Sequence, residues 1–132
     1  MQTRIHVNAD ADVARAAMTA GRIGASAGLD ETASAMLATA VSELARNIVK
    51  YAGRGEVVIR MLAGARMGVE VVAADTGPGI EDPQRALEDH YSTGGTLGLG
   101  LPGVRRMMDE FAMDTAPGRG TRVTICKWGR DR

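Results

Sequence analysis

The chain has 132 residues, 45% hydrophobic and 24% charged, with one Phe, one Trp and two Tyr, and its sixteen basic and sixteen acidic residues cancel. That length suits a single domain, 1–132, able to bury roughly two thirds of its unfolded surface around an aliphatic core without disulfides. Zero net charge excludes a broad phosphate-binding surface, and four aromatics do not make a base-stacking platform, so no nucleic-acid partner is expected.

Cys126 is the only cysteine, which excludes an internal disulfide and a Cys-rich zinc site. No apolar run approaches the ~18 residues of a membrane span. The first residues, MQTRIHVNADADVARA, lack the apolar centre of a signal peptide. A soluble cytoplasmic protein with no membrane partner is the expectation.

In chain order, residues 3–7 suit a short first strand. Residues 10–27 predict an Ala-rich helix, with Asp10 or Asp12 near its start and Gly28 after its end. Residues 30–51 give the strongest helical signal, with Asp30 as N-cap and Leu37, Val41, Leu44 and Ile48 spaced by four, three and four. The β-branched runs 56–62 and 69–74 predict neighbouring antiparallel strands. Residues 76–100 read as loop with one short helical piece at 83–88. Pro102 suits the first turn of a helix running to about Phe111. Residues 113–115 and 122–127 then close a hairpin across a turn at 117–120. The order implies an α+β two-layer sandwich, a mixed sheet with helices on one face, and not alternating βαβ units.

Three constellations carry chemistry. Glu43 and Asn47 stand four apart on the long helix, so their side chains share a face, with Lys50 one turn on. Their oxygens suit a base and a magnesium ligand, although the spacing alone points first to a solvated polar face. Asp75-Thr76-Gly77-Pro78-Gly79 leaves an apolar strand; it reads as turn chemistry, or as a carboxylate that accepts a ligand amine while Gly77 and Gly79 admit a flat ring. The run Gly94-Gly95-Thr96-Leu97-Gly98-Leu99-Gly100 leads into a helix, which suits an anion site. Seven of the seventeen glycines fall between 77 and 103, marking a mobile or a binding loop, and residues 81–98 are expected to order only with ligand.

Other readings of these residues fail. Gly98, Gly100 and Gly103 fit G-x-G-x-x-G, but no strand precedes them and no acidic residue follows about 20 positions on. No P-loop motif is present. His6 and His90 are too far apart to suggest a metal pair, and Asp89, His90 and Ser92 are too close together in one loop for a held triad. Cys126 suits a buried, inert position, and Met61, Met107, Met108 and Met113 suit core filling.

Taken in order, E-x-x-x-N on a helix, D-x-G-x-G after a strand and G-x-x-G-x-G before a helix resemble the Bergerat (GHKL ATPase, histidine-kinase-like) fold shared by gyrase, histidine kinases and MutL. Within it, SELARNIVKYAGRG (42–55), AADTGPGI (73–80), YSTGGTLGLGLPGVRRMMDEF (91–111) and TICKW (124–128) resemble the RsbT-like serine/threonine kinases of bacterial stressosomes and partner-switching modules. The resemblance runs from about residue 10 to Trp128. It implies ATP and Mg2+ as cofactors, with Asn47 as magnesium ligand, Glu43 as general base and Asp75 as the adenine reader between Gly77 and Gly79. It assigns Gly98 and Gly100 to the phosphate clamp, and further nucleotide contacts to Lys50, Thr93, Gly94, Gly95 and Leu99.

The implied partners are a STAS-domain antagonist and its co-antagonist scaffold as phosphoacceptors, and a PP2C-type phosphatase activated on release. Three places depart from the family pattern: His90 where such lids have glycine, the order Gly94-Gly95-Thr96, and the first strand. Two other functions fit the same residues, an RsbW-like anti-sigma factor kinase and a nucleotide-binding interaction module without catalysis. LGLPGVRRMMDEF with the KW ending weighs against the first, and the presence of Glu43 beside Asn47 against the second.

Overall fold

A computed structural model describes residues 2–88 and 100–131, the side chains of Arg130 and Asp131 excepted. Strand β1 (Gln2–Val7) leads into helix α1 (Asp10–Ser26), whose entry is fixed by Asp12: its Oδ2 accepts from the Asn8 and Ala9 amides at 2.8 and 3.1 Å. Those bonds hold the Asp12 carboxyl below its usual range, the Asn8 amide first among the causes. Helix α2 (Glu31–Asn47) is capped by Asp30, whose Oδ1 accepts from the Ala33 amide at 2.8 Å. Its buried stripe is Leu37, Ala40, Val41, Leu44 and Ala45. Helix α1 meets it through small residues; a Cβ on Gly24 would touch Leu29, Ser34 and Leu37 at 3.0 to 3.4 Å.

The long helix does not run α-helical to Tyr51, as its spacing predicts. After Asn47 it widens into one π-helical turn, Ile48–Ala52, closed by the Gly53 amide on the Ile48 carbonyl at 2.8 Å. Strands β2 (Gly55–Leu62) and β3 (Arg66–Asp75) follow as the expected hairpin. Then come a short helix α3 (Pro83–Ala86), helix α4 (Leu101–Met107), and strands β4 (Glu110–Thr115) and β5 (Thr121–Asp131).

The sheet order is β1-β2-β3-β5-β4, and all four pairings are antiparallel, where a mixed sheet was expected. Strands β3 and β4 do point the same way, but β5 lies between them. It takes the inner position because Val123 and Ile125 are buried, whereas β4 alternates exposed and half-buried residues, as suits an edge. Ile5, Val7, Val57, Ile59, Val69, Val71, Ala73, Val123 and Ile125 turn one sheet face to the helices and form the core with them. The other face is wet and carries the cross-strand ion pairs Arg4–Glu56 and Arg60–Glu70. The methionines pack as expected: Met108 is buried, and Met61, Met107 and Met113 lie against the core.

Helix α4 stops at Met107, four residues before the predicted Phe111. The Asp109 amide donates to the Cys126 carbonyl at 2.9 Å, and Asp109 Oδ2 accepts from the Trp128 amide at 2.7 Å. Lys127 Nζ donates to the Met107 carbonyl at 2.8 Å. These bonds turn the chain onto β5 and place Phe111 in the edge strand opposite Ile125.

Candidate active site

Helix α2, the π turn, the end of β3, residues 78–86, Leu101 and the start of β5 enclose a cavity of about 780 Å³. Its walls include Asn47, Tyr51, Asp75, Gly79, Ile80, Arg85, Thr121 and Val123. A second groove of about 670 Å³ shares only Asp75 and Thr121 with it and reaches neither Glu43 nor Asn47. The first brings together Asn47, Asp75 and Gly79 of the predicted site residues.

Asn47 is the last α-helical residue of α2, and the π turn that follows carries Tyr51 and Ala52 into the cavity wall. Single π turns inside helices often mark functional sites. Glu43, one turn before Asn47, lies beside the cavity rather than in its wall. Its Oε2 is 2.5 Å from the point where a side chain on Gly100 would begin. Gly100 has φ +67, a left-handed conformation that brings the start of α4 onto the carboxylate. The other oxygen, Oε1, accepts from Arg46 Nη1 at 2.6 Å. Lys50 is exposed; its Nζ sits 5.2 Å from the centre of the Tyr51 ring and outside the cavity wall.

Asp75 ends β3 and does two things that the sequence reading set against each other. Its Oδ1 accepts from the Gly77 amide at 2.9 Å, a turn bond, and the residue also lines the cavity. Gly77 and Gly79 shape that cavity by close packing of its walls. A Cβ on Gly77 would meet Ala52 Cβ at 2.6 Å, and one on Gly79, at φ +76, would collide with the Ala116 carbonyl. The same loop is tied to the β4–β5 turn by Gly118 N on the Pro78 carbonyl at 2.8 Å and Ile80 N on Thr115 Oγ1 at 3.0 Å.

Thr93, Gly94, Gly95, Gly98 and Leu99, with Asp89, His90 and Ser92 and most of the expected mobile segment, lie outside the described residues. The wall residues Pro117, Thr121 and Val123 were not foreseen, because they come from a hairpin distant in sequence. Arg46 is the i,i+3 partner of Glu43 on α2, a spacing that the sequence alone displays. Among the described residues no group of three or more His, Cys, Asp or Glu could hold a metal.

The sequence matches the histidine kinase-like ATPase domain over residues 7–127. It is 39% identical over 130 residues to the serine/threonine-protein kinase RsbT of Bacillus subtilis (strain 168), covering 98% of each chain. The chain belongs to the histidine kinase-like ATPase family, in its RsbT-type serine/threonine-kinase branch. This RsbT-type kinase is also 31% identical over 102 residues to the anti-sigma F factor of Thermoanaerobacter sp. (strain X514), covering 71% of this chain and 70% of that one.

Two solved structures share the fold at low identity. The mycobacterial sensor histidine kinase MprB superposes with a TM-score of 0.56 at 22% identity over 100% of both chains. The histidine kinase domain of the Erythrobacter litoralis EL346 blue-light activated histidine kinase gives 0.53 at 23%, over 89% of this chain and 63% of that one. The family together with the RsbT relative makes this chain an ATP-binding kinase domain, and no helix among its described residues is long and apolar enough to cross a membrane.

Proposed function

We propose that this RsbT-type kinase is a magnesium-dependent cytoplasmic enzyme of a partner-switching module. It phosphorylates a serine or threonine of a STAS-domain antagonist and of its co-antagonist scaffold, and after release it activates a PP2C-type phosphatase. The observation that carries the reading is the convergence of Asn47 and Asp75 on one cavity, with Glu43 one helical turn from Asn47 and against Gly100.

In this reading ATP occupies the cavity with its adenine at Asp75. The carboxylate keeps Oδ1 on the Gly77 amide and offers Oδ2 to the adenine amino group. Asn47 supplies a hard amide oxygen to magnesium, which when bound neutralises and orients the phosphates. Lys50, Gly100 and the run Thr93–Gly94–Gly95 with Gly98 and Leu99 serve the phosphate end. Glu43 takes the proton from the acceptor hydroxyl as that oxygen bonds to the γ-phosphorus and ADP leaves. The residues mainly position and polarise, as phosphoryl transfer requires.

Incubation with radiolabelled ATP, magnesium and a STAS-domain protein encoded beside this gene tests the reading, with stable label on a Ser or Thr as the expected result. The anti-sigma F relative motivates a second reading, a kinase whose main partner is a sigma factor. Retention of a co-encoded sigma factor, with no effect on a PP2C-type phosphatase, would decide for that one.

A further inference from the structure

We propose that Arg46 is the positioning residue of the phosphotransfer: it pins one oxygen of the Glu43 carboxylate so that the other faces Gly100. The proposal rests on the reading of Glu43 as the base. Arg46 follows Glu43 by three residues on α2, and its Nη1 donates to Glu43 Oε1 at 2.6 Å. Its Nη2 donates to Ser42 Oγ at 3.3 Å, one turn back on the same helix. Two tethers fix the plane of the guanidinium, and that plane fixes the carboxylate. The oxygen left over, Oε2, is the atom nearest to where a Gly100 side chain would start, at the head of α4.

The pair has little to do for folding. Arg46 and Glu43 are 54% and 32% exposed, and ion pairs so open to water add little stability. Arg46 lies outside the cavity wall, as Glu43 does, and its bonds run to that carboxylate and to Ser42. What this geometry gives it is the orientation of Glu43. An unrestrained glutamate samples many rotamers, and a displacement of about 1 Å of a reacting group can lower a rate by about 10²-fold. Arginine suits the task because its rigid fork holds two oxygens at once, whereas lysine supplies a charge without the fork. The proton of the acceptor hydroxyl then goes to Oε2, the oxygen that Arg46 does not hold.

A double-mutant cycle tests this with the full chain, Mg·ATP and the co-encoded STAS-domain protein. The variants are Arg46→Gln, Glu43→Gln, the double variant and Arg46→Lys, each checked for ATP affinity and thermal midpoint. Arg46→Gln should lower kcat by roughly three- to fivefold, the reach of an exposed ion pair on the carboxylate's orientation, with little change in the KM for ATP, and Arg46→Lys should recover only part of it. In the Glu43→Gln background, adding Arg46→Gln should change the rate by less than about twofold, since a residue acting through Glu43 has nothing left to act on. A wild-type kcat for Arg46→Gln, a loss confined to KM, or an equal loss in both backgrounds would overturn the proposal while leaving Glu43 as base. A wild-type rate for Glu43→Gln would instead overturn the base reading, and the proposal with it.

Discussion

Asp75 divides its carboxylate between the turn and the cavity, and that division makes the residue testable on its own. Asp75→Asn keeps an oxygen for the Gly77 amide, so the turn survives, but the charged acceptor in the cavity is lost. A hydrogen bond to a charged group contributes about 1.5–3 kcal/mol, so ATP affinity measured by calorimetry should fall by roughly 10- to 100-fold with the fold intact. Unchanged affinity would leave Asp75 as a turn residue only. Glu43 and Asn47 separate chemistry from binding in the same way. Glu43→Gln should lower phosphotransfer by on the order of 10²–10⁴ at nearly constant ATP affinity, whereas Asn47→Ala should damage both together. Cys126 belongs to this scale through its silence. Burial first, then the Glu110, Glu70 and Asp109 carboxylates, push its thiol from an ordinary 9.0 up to about 12. The folded protein should resist thiol-specific labelling at neutral pH and react once unfolded. Between those two values the unfolded thiol has lost its proton and the folded one has not, so this site's contribution to stability declines as pH rises through that window.

At the scale of elements, the loop after β3 is held by what its glycines leave out. Gly79 has φ +76 and lies against the Ala116 carbonyl, so Gly79→Ala adds both backbone strain and a collision. It should lower the unfolding free energy by at least roughly 1–3 kcal/mol, read from urea midpoints, and loosen the cavity wall that the loop forms. Helix α2 was legible because its cap and its apolar spacing are local: Asp30 bonds three residues ahead, and Leu37, Val41 and Leu44 share one stripe. The pairing of β2 with β3 was legible for the same reason. The start of helix α4 was legible from Pro102 but its end was not, since that end is set by Asp109 and Lys127 bonding across the β5 junction, and nothing near Met107 in sequence announces it. The π turn was hidden too. Residues 48–52 keep a helical composition, and only the closure from Gly53 to Ile48 and the approach of Ala52 to Gly77 distinguish the wider turn. The site divides along the same line. Glu43, Asn47 and Asp75 stand in short motifs, whereas the wall from Pro117, Thr121 and Val123 exists only once β5 has inserted beside β3.

Over the whole molecule, that insertion ties the cavity to the stability of the fold. The wall residues run from Leu44 to Val123 and come from both helical and sheet layers, so a ligand seated there contacts segments that separate on unfolding. A ligand that binds only the native state at about a hundred times its Kd adds about 2.7 kcal/mol, and for a domain of this size that raises the melting midpoint by on the order of 10 °C. Saturating Mg·ATP should produce a shift of that order in the wild type and in Glu43→Gln, whose change spares binding. Asp75→Asn and Asn47→Ala should lose about half of it or more at the same nucleotide concentration. GTP sets the specificity arm, because guanine presents a carbonyl oxygen where adenine presents its amino group, and a carboxylate repels that oxygen. The GTP shift should therefore be small. Equal shifts with ATP and GTP would remove Asp75 as the reader of the base, and an undiminished shift in Asn47→Ala would remove Asn47 from the phosphate end of the cavity.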